Sequence, residues 1–291
     1  MSTPLLFPNQ TPVVRPLRFS RLQRSVGGRG VQGGKFDNCS ALTTLSNGDV
    51  AVVDTNNNRI QLLTSQLALR TCVGQKRLRS PWGVTSLPFD KFCVSEGPKN
   101  RVAVYTNSGE FVSKFTVADA DEICCLATCP VTGNIVVTDY GSATVRVCNL
   151  EGEVLRSFSS QVESEGCEPP VPEHIACDKH GRVFMSFGEG AKHVQVFDRG
   201  GKFLFRFGGH FTSAAGLYVT ARDNLVLCER NERSVSMYST SGQFIQPLVN
   251  VNSGLSMFPH DVTIVNGSDV IVACSEDMFA CPTWLHSYKI S

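Results

Sequence analysis

The sequence predicts an all-β fold, a ring of six four-stranded blades that forms a β-propeller. A short apolar strand that usually ends in a polar residue recurs six times, at intervals of 42 to 48 residues. This interval is the length of one propeller blade. A second strand with alternating apolar residues and a glycine-containing turn follow most of the repeats. The six recurring strands end at Asp54, Glu96, Asp139, Phe187, Glu229 and Cys274.

Each predicted blade begins with an inner strand, and in four blades an outer strand that contains phenylalanine follows the recurring pair of strands. The turns that lead into four of the outer strands contain Gly109, Gly152, Gly201 and Gly242, because tight hairpins need the positive φ that glycine adopts easily. The inner strands are predicted at residues 41–45, 82–87, 124–128, 175–177, 217–220 and 262–265.

The sixth blade reaches its third strand at Tyr288 and contains no fourth strand. The segment 19–28 precedes the first blade and has the pattern of an outer strand followed by glycines. We therefore expect this N-terminal outer strand to pair with the last blade and close the ring, which removes an exposed edge. The predicted domains are a flexible leader at residues 1–16 and a single six-bladed propeller at residues 17–291.

The composition is that of a folded, nearly neutral domain. Hydrophobic residues make up 42% of the chain, charged residues 18%, and the formal net charge is +1. Any nucleic-acid interface must therefore be a local basic patch. The apolar runs are strand-sized, so we expect no membrane association. Most of the twelve cysteines lie in apolar strand patterns, and no secretory signal is apparent, so we expect buried thiols and a cytoplasmic protein.

Three motifs at and near the first blade carry a resemblance to a known family. They are a Gly-x-Gly-x-x-Gly-x-Phe pattern at Gly28, Gly30, Gly33 or Gly34 and Phe36, the sequence Thr-Asn-Asn-Asn-Arg-Ile-Gln after Asp54, and the blade opening Pro81-Trp-Gly-Val. Residues 19–291 resemble a six-bladed NHL-repeat propeller, like that of the brain-tumour-like tripartite-motif (TRIM) NHL proteins. The fourth and sixth blades depart from the family, with Phe187 and Cys274 where aspartate is usual.

The resemblance implies a non-catalytic binding domain. In that family the propeller follows a RING finger, B-boxes and a coiled coil, which supply ubiquitin-ligase activity and oligomerisation. This chain would then be the substrate- or partner-recognition domain of an E3 ubiquitin ligase, itself monomeric, that binds protein partners or ubiquitination substrates. The family also implies an alternative, the binding of single-stranded, U-rich RNA in post-transcriptional repression.

The predicted binding surface is the rim of loops that join the second and third strands of a blade, or one blade to the next. A rigid scaffold commonly presents functional residues on such loops. The predicted rim residues are Arg29, Lys35, Asn56, Asn58, Arg59, Lys76, Arg77, Arg79, Lys99 and Arg101. Around blades 3 and 4 the rim is acidic instead, with Asp119, Asp121, Glu122, Glu163, Glu165, Glu168, Glu173 and Glu189.

A rim divided into a basic and an acidic sector suits a protein of complementary charge, since such charges give specificity. The basic sector alone suits the phosphates of single-stranded RNA, with Trp82 or Tyr105 available for base stacking. Asp54 and Asp139 are predicted to have structural roles, because short aspartate side chains commonly cap backbone N–H groups.

A metal-dependent enzyme with its site at the central channel is the remaining alternative. His174 and His260 each lie at the start of an inner strand, with Glu173 and Asp261 beside them. A zinc site normally requires at least three protein ligands, and no third histidine stands in an equivalent position. The sequence contains no Gly-x-Ser-x-Gly elbow and no P-loop. We therefore predict no catalytic residues, no metal and no cofactor.

Overall fold

A computed structural model describes residues 20–160, 172–189 and 192–290. The leader predicted at residues 1–16 lies outside the described residues. In the described part of the chain the strands form six antiparallel sheets, one for each blade, arranged as a ring. The fold is therefore the six-bladed β-propeller that the repeat predicts. No helix among the described residues has the length and apolar character that would be needed to cross a membrane.

The strands follow the blade order along the chain. The closing strand is β1 (Arg21–Gly27). Blades 1 to 3 contain β2 (Cys39–Thr44), β3 (Val50–Asp54), β4 (Arg59–Leu63), β5 (Leu69–Val73), β6 (Pro81–Leu87), β7 (Lys91–Glu96), β8 (Arg101–Thr106), β9 (Phe111–Thr116), β10 (Ile123–Thr128), β11 (Ile135–Asp139), β12 (Thr144–Cys148) and β13 (Val154–Ser159).

Blades 4 to 6 continue the same pattern, and short 3₁₀ helices lie in three loops. The strands are β14 (His174–Cys177), β15 (Val183–Ser186), β16 (Gly188–Glu189), β17 (His193–Phe197), β18 (Phe203–Gly208), β19 (Ser213–Val219), β20 (Asn224–Glu229), β21 (Ser234–Ser239), β22 (Phe244–Val249), β23 (Phe258–Val265), β24 (Asp269–Ser275) and β25 (Trp284–Lys289). The 3₁₀ helices are Thr55–Asn57, Gly97–Lys99 and Val251–Ser253.

The ring closes as predicted. Strand β1 pairs antiparallel with β25, from Arg21 opposite Lys289 to Gly27 opposite Trp284. Blade 6 therefore has the order β1-β25-β24-β23, with an outer strand from the N-terminal side of the chain. β25, the third strand of the last blade, is therefore hydrogen-bonded to a strand on each side and has no edge exposed to solvent.

The core is divided among the seams between neighbouring blades. One apolar cluster contains Val53 and Ile60 of blade 1 together with Val94 of blade 2. Similar clusters lie between each of the other neighbouring blades among the described residues, including one that joins blade 6 to blade 1. The strands of the middle of each blade are buried on both faces, which explains their nearly continuous apolar runs.

Two structural constraints explain the glycines in the turns before the outer strands. Gly109, Gly152, Gly201 and Gly242 all have φ between 85° and 94°. A Cβ at any of them would also lie 2.3 to 2.7 Å from a side chain of the preceding blade's outer strand. At Gly201, for example, a Cβ would be 2.5 Å from the ring of Phe158. Glycine is therefore required both by the turn and by the close approach of two blades.

Candidate functional site

A broad hollow lies at one end of the central channel. We call this end the upper face; it carries the loops that join second to third strands and one blade to the next. The hollow has a volume of about 720 Å³, and residues from all six blades line it. Its size falls within the usual range for ligand sites in proteins.

β-Bulges shape the floor of the hollow. Five of the six inner strands contain a register shift near their upper end, as between Cys39 and Leu42 or between Pro81 and Val84. A bulge re-aims the side chain next to it and is common beside functional sites. The inner-strand residues that line the hollow are Ser40, Trp82, Ile123, Cys124, His174 and His260, and Glu173 lines it from directly before β14.

A His–Asp pair narrows the channel beneath the hollow. Nδ1 of His174 in blade 4 lies 3.7 Å from Oδ1 of Asp261 in blade 6. Asp261 also packs against Gly216 of blade 5, the blade between the two partners. A Cβ at Gly216 would lie 2.5 Å from the same Asp261 oxygen. A smaller cavity of about 140 Å³ continues along the channel below.

Burial sets the protonation of these groups. Desolvation, with a further contribution from Arg230, lowers the pKa of His174 and of His260 to about 3. Both imidazoles are therefore neutral at neutral pH. Burial raises the pKa of Asp261 to about 7, although the backbone N–H groups of Leu42 and Val262 donate to its carboxylate and oppose the shift.

The four groups proposed from the sequence as a channel metal site do lie near one another, but each has a protein partner. Nε2 of His260 lies 2.7 Å from the Ser275 hydroxyl, and His174 faces Asp261. The Glu173 carboxylate lies 3.6 Å from the Arg230 guanidinium. Across residues 20–160, 172–189 and 192–290, no group of three or more His, Cys, Asp or Glu side chains is placed to hold a metal ion.

The acids at the strand ends are structural anchors, as predicted for Asp54 and Asp139. Asp54 accepts the backbone N–H of Asp37, and Asp139 accepts those of Asp121 and Glu122. Each carboxylate thereby fixes the loop that leads into its blade. Each also pairs with an arginine of the third strand, as does Glu96 in blade 2.

Two of the predicted rim residues are not on an accessible rim, and those predictions are wrong. The Arg59 side chain is only 5% exposed; it pairs with Asp54 at 2.7 Å and donates to three backbone carbonyl groups. The Arg101 guanidinium donates to both carboxylate oxygens of Glu96 and is mostly buried. Their charges are neutralised inside the blades and therefore stabilise loops.

Three further rim residues are exposed but have local partners. Arg29 pairs with Asp37 at 3.3 Å. Lys35 donates from Nζ to the Gly27 carbonyl and lies over the Trp284 ring. Asn58 has a left-handed φ of 51°, and its Oδ1 accepts the Ser80 N–H, so it links two loops.

The remaining predicted rim residues are exposed on the upper side of blades 1 and 2. They are Asn56, Lys76, Arg77, Arg79 and Lys99. Arg77 stacks over the Phe111 ring, with its guanidinium carbon 4.9 Å from the ring centre. We call Lys76, Arg77, Arg79 and Lys99 the basic patch; none of the four lines the hollow, but Arg79 and Lys99 directly adjoin the lining residues Ser80 and Pro98 in the sequence.

The acidic sector is described only in part. Asp119, Asp121 and Glu122 are exposed in the loop that leads into blade 3. Glu163, Glu165 and Glu168 lie outside the described residues. In the described part, the upper face therefore carries a basic patch on blades 1 and 2 and acids at the entrance to blade 3.

Sequence reasoning missed three residues that line the hollow. Tyr140 and Phe279 are 50% and 76% exposed, and Arg230 lies 3.6 Å from Glu173 and helps to lower the pKa of both histidines. Tyr140 and Arg230 each directly follow a strand-end acid of the repeat, which places them on the upper face. That position in the repeat is the signal that identifies them.

The fold and this site define a β-propeller with an open upper hollow, and known structures share its architecture. No family model and no curated protein matches the sequence. A catalytically inactive virginiamycin B lyase from Staphylococcus aureus with quinupristin is similar with a TM-score of 0.61 and 13% identity, covering 86% of this chain and 80% of that one.

Two further structures are similar to the same degree. A streptogramin B lyase has a TM-score of 0.60 and 12% identity over 85% of this chain and 78% of its own. A protein of unknown function from Bacteroides caccae has a TM-score of 0.57 and 14% identity over 77% and 81%. At these identities the likeness establishes the propeller fold alone.

Proposed function

We propose that this chain is a recognition domain that binds a protein partner through its upper face. The observation that supports the proposal is the hollow of about 720 Å³, with Trp82, Tyr140 and Phe279 exposed around it. Exposed aromatic side chains are enriched at the energetic centres of protein interfaces. The charged loops beside the hollow would form the polar rim of that interface.

Recognition accounts for the hollow better than catalysis at the channel. The candidate catalytic groups are occupied by one another, as in His174 with Asp261 and Glu173 with Arg230. The side chains of Trp82, Tyr140 and Phe279, in contrast, are exposed to solvent and therefore open to a ligand. The likeness to structures named as lyases is at the level of the fold alone.

The wider role that we propose follows from the NHL-like motifs of the first blade. The chain would be the substrate-recognition domain of a tripartite-motif ubiquitin ligase in the cytoplasm. The anchor contacts of Asp54, Asn57 and Arg59 give a physical reason for the polar motif after the first recurring strand, because they hold the loop before blade 1. These contacts support the likeness of the first blade to an NHL repeat, and the ligase role belongs to the proposal.

Binding of single-stranded RNA is the second candidate. The observation that favours it is the exposed basic patch, whose Arg79 lies on the loop that leads into β6, the strand of Trp82; Trp82 is itself 40% exposed. Sites for single-stranded nucleic acid usually combine two elements. Basic side chains lie along the phosphate backbone, and aromatic side chains stack with the bases. The acids at the entrance to blade 3 oppose an RNA strand that crosses the face.

Site-specific photo-crosslinking tests the proposed function. A benzophenone amino acid at Tyr140 or Phe279 should form adducts with protein in a cell extract. The matched control is Phe89, which is 89% exposed on the loop between β6 and β7, at the opposite end of the ring. Equal adducts from the Phe89 position, or none from the upper face, would contradict the proposal.

The RNA candidate is tested separately by fluorescence anisotropy with U-rich single-stranded RNA at several salt concentrations. If RNA is the ligand, binding should weaken as salt rises, because counterions are released on binding. It should also be lost when Arg77 and Arg79 are replaced by glutamate. Absence of binding at physiological salt would eliminate this candidate.

A further inference from the structure

We propose that the hollow binds a cationic side chain, arginine or lysine, of the partner. This inference rests on the proposed function and specifies the chemistry that the upper face recognises. It concerns the wall of the hollow formed by blades 2 and 3, where aromatic side chains and an unpaired carboxylate occur together.

Two aromatic side chains belong to this wall. Trp82 lies at the upper end of β6 and Tyr140 directly follows β11, and both line the hollow while remaining 40% and 50% exposed. Their backbones are fixed: the Ser40 hydroxyl donates to the Trp82 carbonyl, and the Tyr140 N–H donates to the Glu122 carbonyl. Exposed π faces on a rigid support attract cations, tryptophan most strongly.

A carboxylate lies beside the aromatic side chains. Glu122 lines the hollow, is exposed, and has no ion pair within the described residues. Its side chain lies against Gly97, where a Cβ would be 3.6 Å from Oε1, so the carboxyl group lies between blades 2 and 3. Asp121, next to it, is also exposed and unpaired in the described structure.

The other charges of the hollow leave this wall negative. Among the described residues that line the hollow, Arg230 is the only arginine or lysine, and Glu173 lies 3.6 Å from it. His174 and His260 carry no charge at neutral pH, since burial holds their pKa values at about 3. The four cations of the basic patch are not among the lining residues. Glu122 would repel an anionic side chain. A cationic side chain would instead be attracted by a carboxylate and two aromatic π faces.

Tryptophan fluorescence gives a direct test. The chain contains two tryptophans, Trp82 and Trp284, and only Trp82 lines the hollow. In a Trp284→Phe background, the emission of Trp82 therefore reports on the site alone. We would titrate the full chain with N-acetyl-arginine amide, with N-acetyl-citrulline amide as the neutral isostere, and with N-acetyl-glutamate amide as the anion.

The expected result is a saturable change with the arginine probe and no saturable change with the other two. Glu122→Gln and Tyr140→Ala should each weaken binding by about fivefold, as is typical of one partly exposed ion pair or cation–π contact. Glu110→Gln is the matched control, because Glu110 is an exposed acid on the loop between β8 and β9 and does not line the hollow. It should leave binding unchanged.

Equal binding of the citrulline probe, tighter binding of the glutamate probe, absence of saturation with arginine, or an unaffected Glu122→Gln variant would each overturn the inference. Circular dichroism of each variant distinguishes a lost site from a lost fold. If the upper face forms protein adducts in the crosslinking experiment but no arginine probe binds, the inference fails while the proposed function stands. If the probe binds but no adducts form, the proposed function fails instead.

Discussion

At the scale of single residues, charge in this protein has two roles that the sequence does not distinguish. Arg59, Arg101 and Arg146 pair with acids at the ends of second strands and are largely buried. Lys76, Arg77 and Arg79 are exposed, and Arg77 stacks over the Phe111 ring. The difference depends on which carboxylate lies nearby in three dimensions, so the burial of Arg59 and Arg101 could not be predicted from residue type and loop position.

Replacement of a strand-end acid tests the anchoring role. Burial by itself would raise the pKa of Asp139, but hydrogen bonds from the Glu122 N–H, the Ser142 hydroxyl, the Asp121 N–H and Arg146 outweigh it and lower the pKa. Asp139→Asn should therefore reduce the free energy of unfolding at pH 7 by about 3 kcal/mol, since it leaves Arg146 without its buried partner. Chemical denaturation measures this change.

The same variant has a predicted pH dependence. Because the pKa is lower in the folded state, the ionised Asp139 stabilises the fold above its ordinary pKa of 3.8, and this contribution is lost as the pH falls through the lower folded value. The stability difference between wild type and Asp139→Asn should therefore shrink below about pH 4. Asp121→Asn, at an exposed side chain, is the control. A difference that is constant with pH would contradict the assignment.

At the scale of strands and turns, the sequence was largely sufficient. The inner strands, the recurring strand ends and the hairpin glycines follow local rules of alternation and turn geometry, and all three were predicted. The bulges of the inner strands were not predicted, because a register shift depends on the partner strand. Those bulges set which side chains line the hollow, so the candidate site was less predictable than the fold.

The hairpin glycines provide a prediction at this scale. Gly201→Ala adds a Cβ that would lie 2.5 Å from Phe158 and also places alanine at a positive φ. We expect a loss of about 3 kcal/mol, the sum of a backbone and an overpacking cost. Gly133 is the matched control, with φ of 72° and no atom within 4 Å of the added Cβ.

For Gly133→Ala the expected loss is about 1 kcal/mol, from the backbone alone. Thermal and chemical denaturation of the two variants measures both values. Equal losses would show that the approach of neighbouring blades does not determine the choice of glycine at position 201.

At the scale of the whole molecule, stability depends on closure of the ring. Strand β1 pairs with β25, and Val26 of β1 packs against the apolar cluster that joins blade 6 to blade 1. Deletion of residues 21–27 should lower the melting temperature by about 10 °C or more, since it removes one complete strand of pairing and exposes an edge. Gln23→Pro is a mild control, because Gln23 lies at a bulge and opposes no residue of β25. An unchanged melting temperature after the deletion would contradict closure by β1.

The rigid ring also explains how a nearly neutral chain presents a specific binding surface. Six blades hold their upper loops at fixed positions, so weakly charged segments that are far apart in sequence meet around one hollow. Trp82, Glu122, Tyr140 and Phe279 come from three blades and the loops between them. We propose that this hollow is the recognition site.

The most direct measurement is the selection of peptides from a random library against the immobilised propeller, followed by affinity measurements on variants. We expect the selected peptides to bind the wild type and the Phe89→Ser variant equally, since Phe89 lies on the opposite face. The same peptides should bind at least about tenfold more weakly when Trp82 and Tyr140 are both replaced by alanine, as expected when interface aromatic residues are truncated. Peptides that bind the Trp82 and Tyr140 double variant as tightly as the wild type would contradict the claim that the hollow is the recognition site.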